Sequence, residues 1–189
     1  MQKNVTYFEK TGPENTGECL EIAKKAAVEL NCKHIVVAST NGDTGSLFAD
    51  GLKEMDVNLV VVTHSQGFKE PNTIELTDEA RSAITAAGAT IYTGTMITHS
   101  LETSLAKSFS GVYPTLLVAQ TLRIFGQGTK VCCEMIMMAA DAGLIPEGKE
   151  VLAIAGTGHG ADTVILLRAV PSKRFLDLRV LETLAKPRG

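Results

Sequence analysis

The sequence contains no tryptophan, and only three Tyr and six Phe. Proteins that hold single-stranded nucleic acid by stacking need an aromatic platform, and this chain has little to build one from. Positive charge is not in excess either: 18 Lys and Arg against 21 Asp and Glu leave a net charge of −3. That is the footprint of neither a nucleic-acid partner nor an anionic membrane surface. No apolar run approaches the roughly 20 residues a membrane helix needs. The stretch Met1 to Thr6 carries no apolar signal core, so a cytoplasmic location is expected. Cysteine is scarce. Cys19, Cys32, Cys132 and Cys133 form no Cys-x-x-Cys spacing, and reduced, buried thiols are the plain expectation. The four histidines His34, His64, His99 and His159 include no pair at i, i+4, so no metal centre is expected.

What is present is an ordinary globular composition, 44% hydrophobic and 21% charged over 189 residues. One α/β domain over residues 1–189 is expected, with chain enough to bury a core. Asn4 to Phe8 reads as a short strand. A helix follows, capped by Asn15 or Thr16. Ile35 to Ala38 and Asn58 to Thr63 are unbroken apolar runs, as in a parallel sheet covered on both faces. With the helical stretch between them they make a βαβ unit. Thr77 to Ala87 is a third helix, capped by Thr77 or Asp78, and Ala89 to Tyr92 a brief strand. Thr93 to Ser110 is polar and partly helical. Helices are predicted over Thr115–Phe125 and Thr129–Ala142, the second apolar nearly all round and therefore buried. Strands are predicted over Glu150–Ala155 and Thr163–Val170, and a final edge strand within Phe175–Leu184.

One loop stands out: Ser39, Thr40, Asn41, Gly42, Asp43, Thr44, Gly45. It leads from a buried strand into a helix, with Asp43 or Thr44 as the expected N-cap. Such a junction presents backbone N–H groups and a positive helix end to an anion. It contains no Lys or Arg, so a phosphate there would rest on N–H groups, hydroxyls and the helix dipole. The glycine-rich segment Gly156, Thr157, Gly158, His159, Gly160 is not a dinucleotide fingerprint, because a strand rather than a helix follows it. It reads as a connection between adjacent strands with room for close ligand approach. Gly126 to Lys130 is not a phosphate-binding Walker loop and reads as a helix–helix turn. His64 and His159 each lie just past a buried strand, where ligands bind in open α/β sheets. Glu134 is a carboxylate on an apolar helix and needs a partner, either in a site or in a structural Lys or N–H group.

Ile35 to Gly45, followed by Asn58 to His64, resembles the start of the C-terminal domain of pyruvate kinase, whose strand, Thr/Ser-Gly loop, helix and second strand build an effector phosphate site. Val131 to Leu144 and Pro146 to Val170 are similar to that domain's last helix, strand, effector loop and antiparallel strand. Asp43 stands where a basic residue is common in the kinase, and the catalytic barrel is missing. Over its full length the chain is similar to a family of small stand-alone microbial proteins of this fold, associated with flavin mononucleotide. The marks are Tyr7-Phe8-Glu9, Gly12 to Thr16, the Ser39–Thr44 loop, Thr63-His64 with Gly67-Phe68, Lys130 to Cys132 with Glu134, Met138 to Asp141, and Gly160 to Thr163.

The resemblance implies a three-layer α/β/α fold with sheet order 3-2-1-4-5 and strand 5 antiparallel. In such a sheet the Ser39 and Gly156 loops meet at the topological switch point. It implies a flavin mononucleotide (FMN) site, with the phosphate on Ser39 to Gly45 and the rest of the ligand against Thr63, His64, Gly67, Phe68 and Gly156 to Asp162. Three functions stay open at this level: an FMN protein, which as an enzyme would be a flavin-dependent oxidoreductase; a non-catalytic sensor of a phosphorylated metabolite; and an interaction module. The expected partners are a phosphorylated small molecule and a further copy of the chain in a homo-oligomer, not nucleic acid or a membrane.

Overall fold

The computed structural model describes residues 2–189. Its central sheet grows from the apolar runs. The strands are β1 (Thr6–Phe8), β2 (His34–Ala38), β3 (Asn58–Thr63), β4 (Thr90–Thr93), β5 (Glu150–Ala155), β6 (Thr163–Arg168) and β7 (Arg179–Pro187). They lie in the order β1-β7-β6-β5-β2-β3-β4. The five central-to-edge strands β4-β3-β2-β5-β6 are the predicted order 3-2-1-4-5. The last of them, β6, runs antiparallel to β5, as expected. Two strands extend the sheet beyond that prediction. β7 pairs antiparallel with β6, and β1 pairs parallel with β7, Thr6 opposite Ala185. The C-terminal strand is therefore not the edge. Three residues of the N-terminal segment cover it, a long-range pairing that local pattern does not report.

Side-chain alternation in the strands feeds two cores. Ile35, Val37, Leu59, Val61, Leu152 and Ile154 face one layer. It is built from α1 (Thr16–Glu29), α2 (Asp43–Leu52) and α3 (Asp78–Ala86). Val36, Val60, Val62, Val151 and Ala153 face the other. There α6 (Gln127–Asp141) lies across the sheet. With strands on one side and α5 (Pro114–Arg123) on the other, α6 is buried almost all round, which is why its sequence is apolar nearly all round, Lys130 and Glu134 apart. The weakly patterned stretch contains one exposed helix, α4 (Leu101–Ser108). Among the described residues no helix is long and apolar enough to cross a membrane.

Two expected caps differ. Asn15 stands at the N-cap of α1, as expected, but its side chain accepts no helix N–H; its amide donates to Lys10 O (2.9 Å). Thr16 instead accepts from the Ala161 N–H (3.0 Å) and so ties the start of α1 to the Gly156 loop. At α2 the cap position falls to Gly42, with φ +106°, rather than to Asp43 or Thr44. At α3 the expected Thr77 cap is present, accepting from Ala80 N–H at 3.1 Å. The turn predicted over Gly126 to Lys130 ends sooner: Gln127 already opens α6, which places Lys130 in its first turn.

Candidate functional site

The C-terminal ends of β2 and β5 are neighbours, with Val37 opposite Ile154. Their continuations leave the sheet separately, β2 toward α2 and β5 toward β6. The gap between them opens into a cavity of about 280 Å³, close to the lower bound of roughly 300 Å³ for ligand sites. Helix α2 stands on one face of the sheet and α6 on the other, so the cavity is walled from both layers.

The α2 wall is backbone and hydroxyl. Ser39 Oγ accepts the Gly45 N–H (2.9 Å), and Asn41 Oδ1 accepts the Asp43 N–H (3.3 Å). The N–H groups of Thr40, Asn41, Gly42 and Thr44 have no acceptor among the described residues. Gly42 is required by geometry: a Cβ there would sit 2.2 Å from Ala80 Cβ, besides the positive φ. The close seat of Gly42 against α3 sets the course of the loop past the cavity.

The second loop is fastened from behind. Asp162 is fully buried and accepts from the N–H groups of Gly12 (3.1 Å) and Thr157 (3.0 Å) and from the Thr163 hydroxyl (2.8 Å). Gly160, at φ +70°, packs so closely on the N-terminal segment that a Cβ would stand 2.4 Å from Pro13 Cα. The third loop brings His64 and Phe68, whose rings lie 4.2 Å apart between centroids. His64 Nδ1 is 2.7 Å from Glu75 Oε2. Burial pushes the Glu75 carboxyl up, but Lys69 and His64 outweigh it and hold it below its ordinary value.

Helix α6 supplies charge. Lys130 and Glu134, one turn apart, are 1% and 3% exposed and form an ion pair. Glu134 Oε1 also accepts the Thr98 N–H (2.6 Å) and hydroxyl (2.7 Å). Burial raises the Glu134 carboxyl; Lys130 and the Thr98 donors overcome that and hold it low. His99 lies between two cations, with Lys130 Nζ 3.1 Å from Nδ1 and Arg123 Nη2 3.1 Å from Nε2. Burial first, then Lys130, lower its pKa from 6.5 against an opposing pull from Glu134, with Arg123 and His64 adding smaller downward pushes.

Of the residues singled out in the sequence, Ser39, Thr40, Asn41, Thr44, Thr63, His64, Phe68, Glu134, Gly156, Gly158, His159 and Gly160 line this one cavity. Six lie outside its lining. Gly42 and Gly45 pack against α3 and β3, and Asp43 is exposed and accepts from the Asn41 amide (2.7 Å). Gly67 is exposed in its turn, and Thr157 and Asp162 hold the second loop together. Sequence reasoning did not assign His99, Arg123, Gln127 or Lys130 to the site, and all four line the cavity. The signal for Lys130 was present: a Lys four residues before the lone Glu of an apolar helix is an i, i+4 partner.

Residues 18–167 match the family described as pyruvate kinase, alpha/beta domain. Among solved structures, the chain is similar to a pyruvate kinase from Cryptosporidium parvum at 16% identity, covering 80% of this chain and 23% of that one, with a TM-score of 0.42. A second structure of a pyruvate kinase from that organism, in complex with ADP, matches at 14% identity over 90% of this chain and 25% of the other, with a TM-score of 0.45. The chain thus spans about a quarter of the length of these kinases.

Proposed function

From a chain that belongs to the pyruvate kinase alpha/beta domain family, we propose a protein that binds a phosphorylated small molecule in the switch-point cavity, with FMN as the ligand. The observation that carries this reading is the set of N–H groups at Thr40, Asn41, Gly42 and Thr44 that have no acceptor among the described residues, at the start of α2 beside the cavity. Unpaired backbone donors at a helix N-terminus favour a phosphate.

The remaining lining fits a flavin. Met96, Val131, Met135 and Met138 offer an apolar, deformable wall, and Phe68 with His64 offers rings on another side. The Thr40 and Thr44 hydroxyls would accompany the free N–H groups at the phosphate. When bound, a flavin supplies hydride-transfer chemistry of its own. This chain's residues would position it and limit access of water.

A non-catalytic sensor of a phosphorylated metabolite is the second reading, and one observation favours it. The one carboxylate that lines the cavity among the described residues, Glu134, is already held by Lys130 and Thr98. It does not stand free as a general base.

The absorption spectrum of the purified protein tests the first reading. Bands near ~370 and ~450 nm, or their perturbation on titrating FMN, are expected, since the absorbing group is the flavin itself. A colourless protein that ignores added FMN would refute it. Thr44→Glu should abolish binding with the fold retained. Reduction of bound flavin by a nicotinamide cofactor would favour an oxidoreductase over a sensor.

Homo-oligomerisation belongs to the same reading. Leu101, Phe109, Val112 and Leu117 on α4, α5 and their connection are 60% exposed or more. They leave apolar side chains uncovered along α4, α5 and their connection, the kind of surface that can mark an interaction site. A second copy of the chain is the proposed cover. Light scattering at the mass of one chain would exclude it.

A further inference from the structure

The α5–α6 wall of the cavity holds more hydrogen-bond donors than acceptors. Lys130 is 1% exposed, and its ammonium carries three donors and no acceptor. One donor goes to Glu134 Oε2. The Thr98 hydroxyl gives its proton to Glu134 Oε1, which leaves the hydroxyl oxygen, 3.1 Å from His99 Nδ1, as an acceptor for Nδ1–H. In that tautomer Nε2 keeps its lone pair, and Arg123 Nη2 donates to it at 3.1 Å. Lys130 Nζ, also 3.1 Å from Nδ1, then faces an N–H. Moving the proton to Nε2 satisfies Lys130 and sets Arg123 against an N–H instead. A neutral imidazole has one lone pair for two cationic donors, and a protonated one has none.

The charges are equally unbalanced. Lys130 and Arg123 line the cavity with Glu134 as the only lining carboxylate among the described residues. Burial, reinforced by both cations, keeps His99 below its ordinary pKa and so disfavours a further positive charge there. An under-satisfied buried ammonium costs free energy that an incoming acceptor would recover. This wall lies on the opposite face of the sheet from α2, across the strand ends.

We propose that Lys130 and Arg123 form a second anion subsite, which holds an anionic or strongly accepting oxygen at the end of the ligand remote from its phosphate. The inference rests on the reading of the Ser39–Gly45 loop as the first phosphate cradle. Together the two ends narrow the ligand to a phosphomonoester with a second oxygen-bearing head. A flavin meets that requirement with the carbonyl edge of its ring; a carboxylated sugar phosphate or a bisphosphate meets it with a full charge.

Inorganic phosphate is the probe, titrated calorimetrically at low ionic strength into protein freed of bound ligand. The wild-type chain should bind two phosphates. Arg123→Gln should weaken one of them about tenfold or more, in the range of a lost charge-assisted contact. Thr44→Glu should abolish the other and leave the Arg123-dependent one. Lys130→Met alone strands Glu134, so the second variant is Lys130→Met/Glu134→Leu, which removes both charges and should match Arg123→Gln. One phosphate per chain, untouched by Arg123→Gln, overturns the subsite and leaves the loop reading standing. Loss in Arg123→Gln with no effect of Thr44→Glu upholds the subsite and overturns the loop reading. No phosphate bound by the wild-type protein overturns both.

Discussion

The two walls of the cavity solve one problem by different means. The α2 wall offers backbone N–H groups fixed by a glycine turn, with no cation in the loop. The α6 wall offers side-chain charge, held in place by an internal ion pair and a histidine. Backbone donors at a helix end come at no desolvation cost beyond folding itself. A buried ammonium needs its partner continuously. The α2 wall should therefore depend on steric fit, and the α6 wall on charge balance.

The sharpest break of that contrast is at Glu134. Glu134→Leu leaves Lys130 buried without its carboxylate and should cost about 3–5 kcal/mol, read as a shift in the urea midpoint. The double variant Lys130→Met/Glu134→Leu should recover most of that loss, because removing both charges removes the unmet desolvation. If the single variant is as stable as the double one, charge balance does not govern the α6 wall.

At the α2 wall the largest effect should come from a methyl group. Gly42→Ala forces a positive φ on a residue with a Cβ, 2.2 Å from Ala80 Cβ. Strain and overpacking of this kind cost about 2 kcal/mol. The same thermal or urea measurement should show it. A Gly42→Ala variant of wild-type stability would mean that the loop adapts and does not set the cradle.

Much of this architecture was legible in the sequence, and the reason differs by region. Unbroken apolar strands announced a two-faced sheet, and Ile35–Ala38 and Asn58–Thr63 needed only their own residues to do so. The Ser39–Gly45 loop was legible because glycine and hydroxyl residues between a strand and a helix are a local signal. The cluster at α6 was not. His99, Arg123 and Lys130 come from three separate segments, and only the packing of α5 on α6 brings them together. The Gly126–Lys130 turn misled for a related reason: a positive φ at Gly126 marks the end of the turn, so Lys130 belongs to the helix. β1 escaped its full meaning because its partner, β7, lies at the far end of the chain.

Acid should distinguish the walls less sharply. His99 has a folded-state pKa lowered from 6.5. The unfolded chain therefore takes up a proton there before the folded one does, and stability falls as pH drops below about 6.5 toward the folded value. Glu134, also lowered, adds a further loss below its ordinary 4.5. The groups facing His99 are Lys130, Arg123, Glu134, Thr98 and, more weakly, His64. His99→Gln should flatten the stability profile between pH 7 and 5.5, followed by urea titration at each pH. An unchanged slope would assign the acid sensitivity to other groups.

The smallest effect sharpens the comparison from the other side. Asp43 occupies the first turn of α2, exposed and bonded to the Asn41 amide. A carboxylate there complements the helix dipole and contributes roughly 0.3–1 kcal/mol. It also sets a negative charge near N–H groups read as a phosphate cradle. Asp43→Asn should thus lower stability by a few tenths of a kcal/mol while strengthening phosphate binding at the loop. The gain should shrink as salt is raised, because Asp43 is exposed and its field is screened within about 10 Å at 0.1 M. Calorimetric titration of Asp43→Asn at two ionic strengths measures both signs. Weaker phosphate binding in Asp43→Asn would mean that the carboxylate orders the loop more than it repels the ligand, and that the α2 wall, like the α6 wall, depends on a charge of its own.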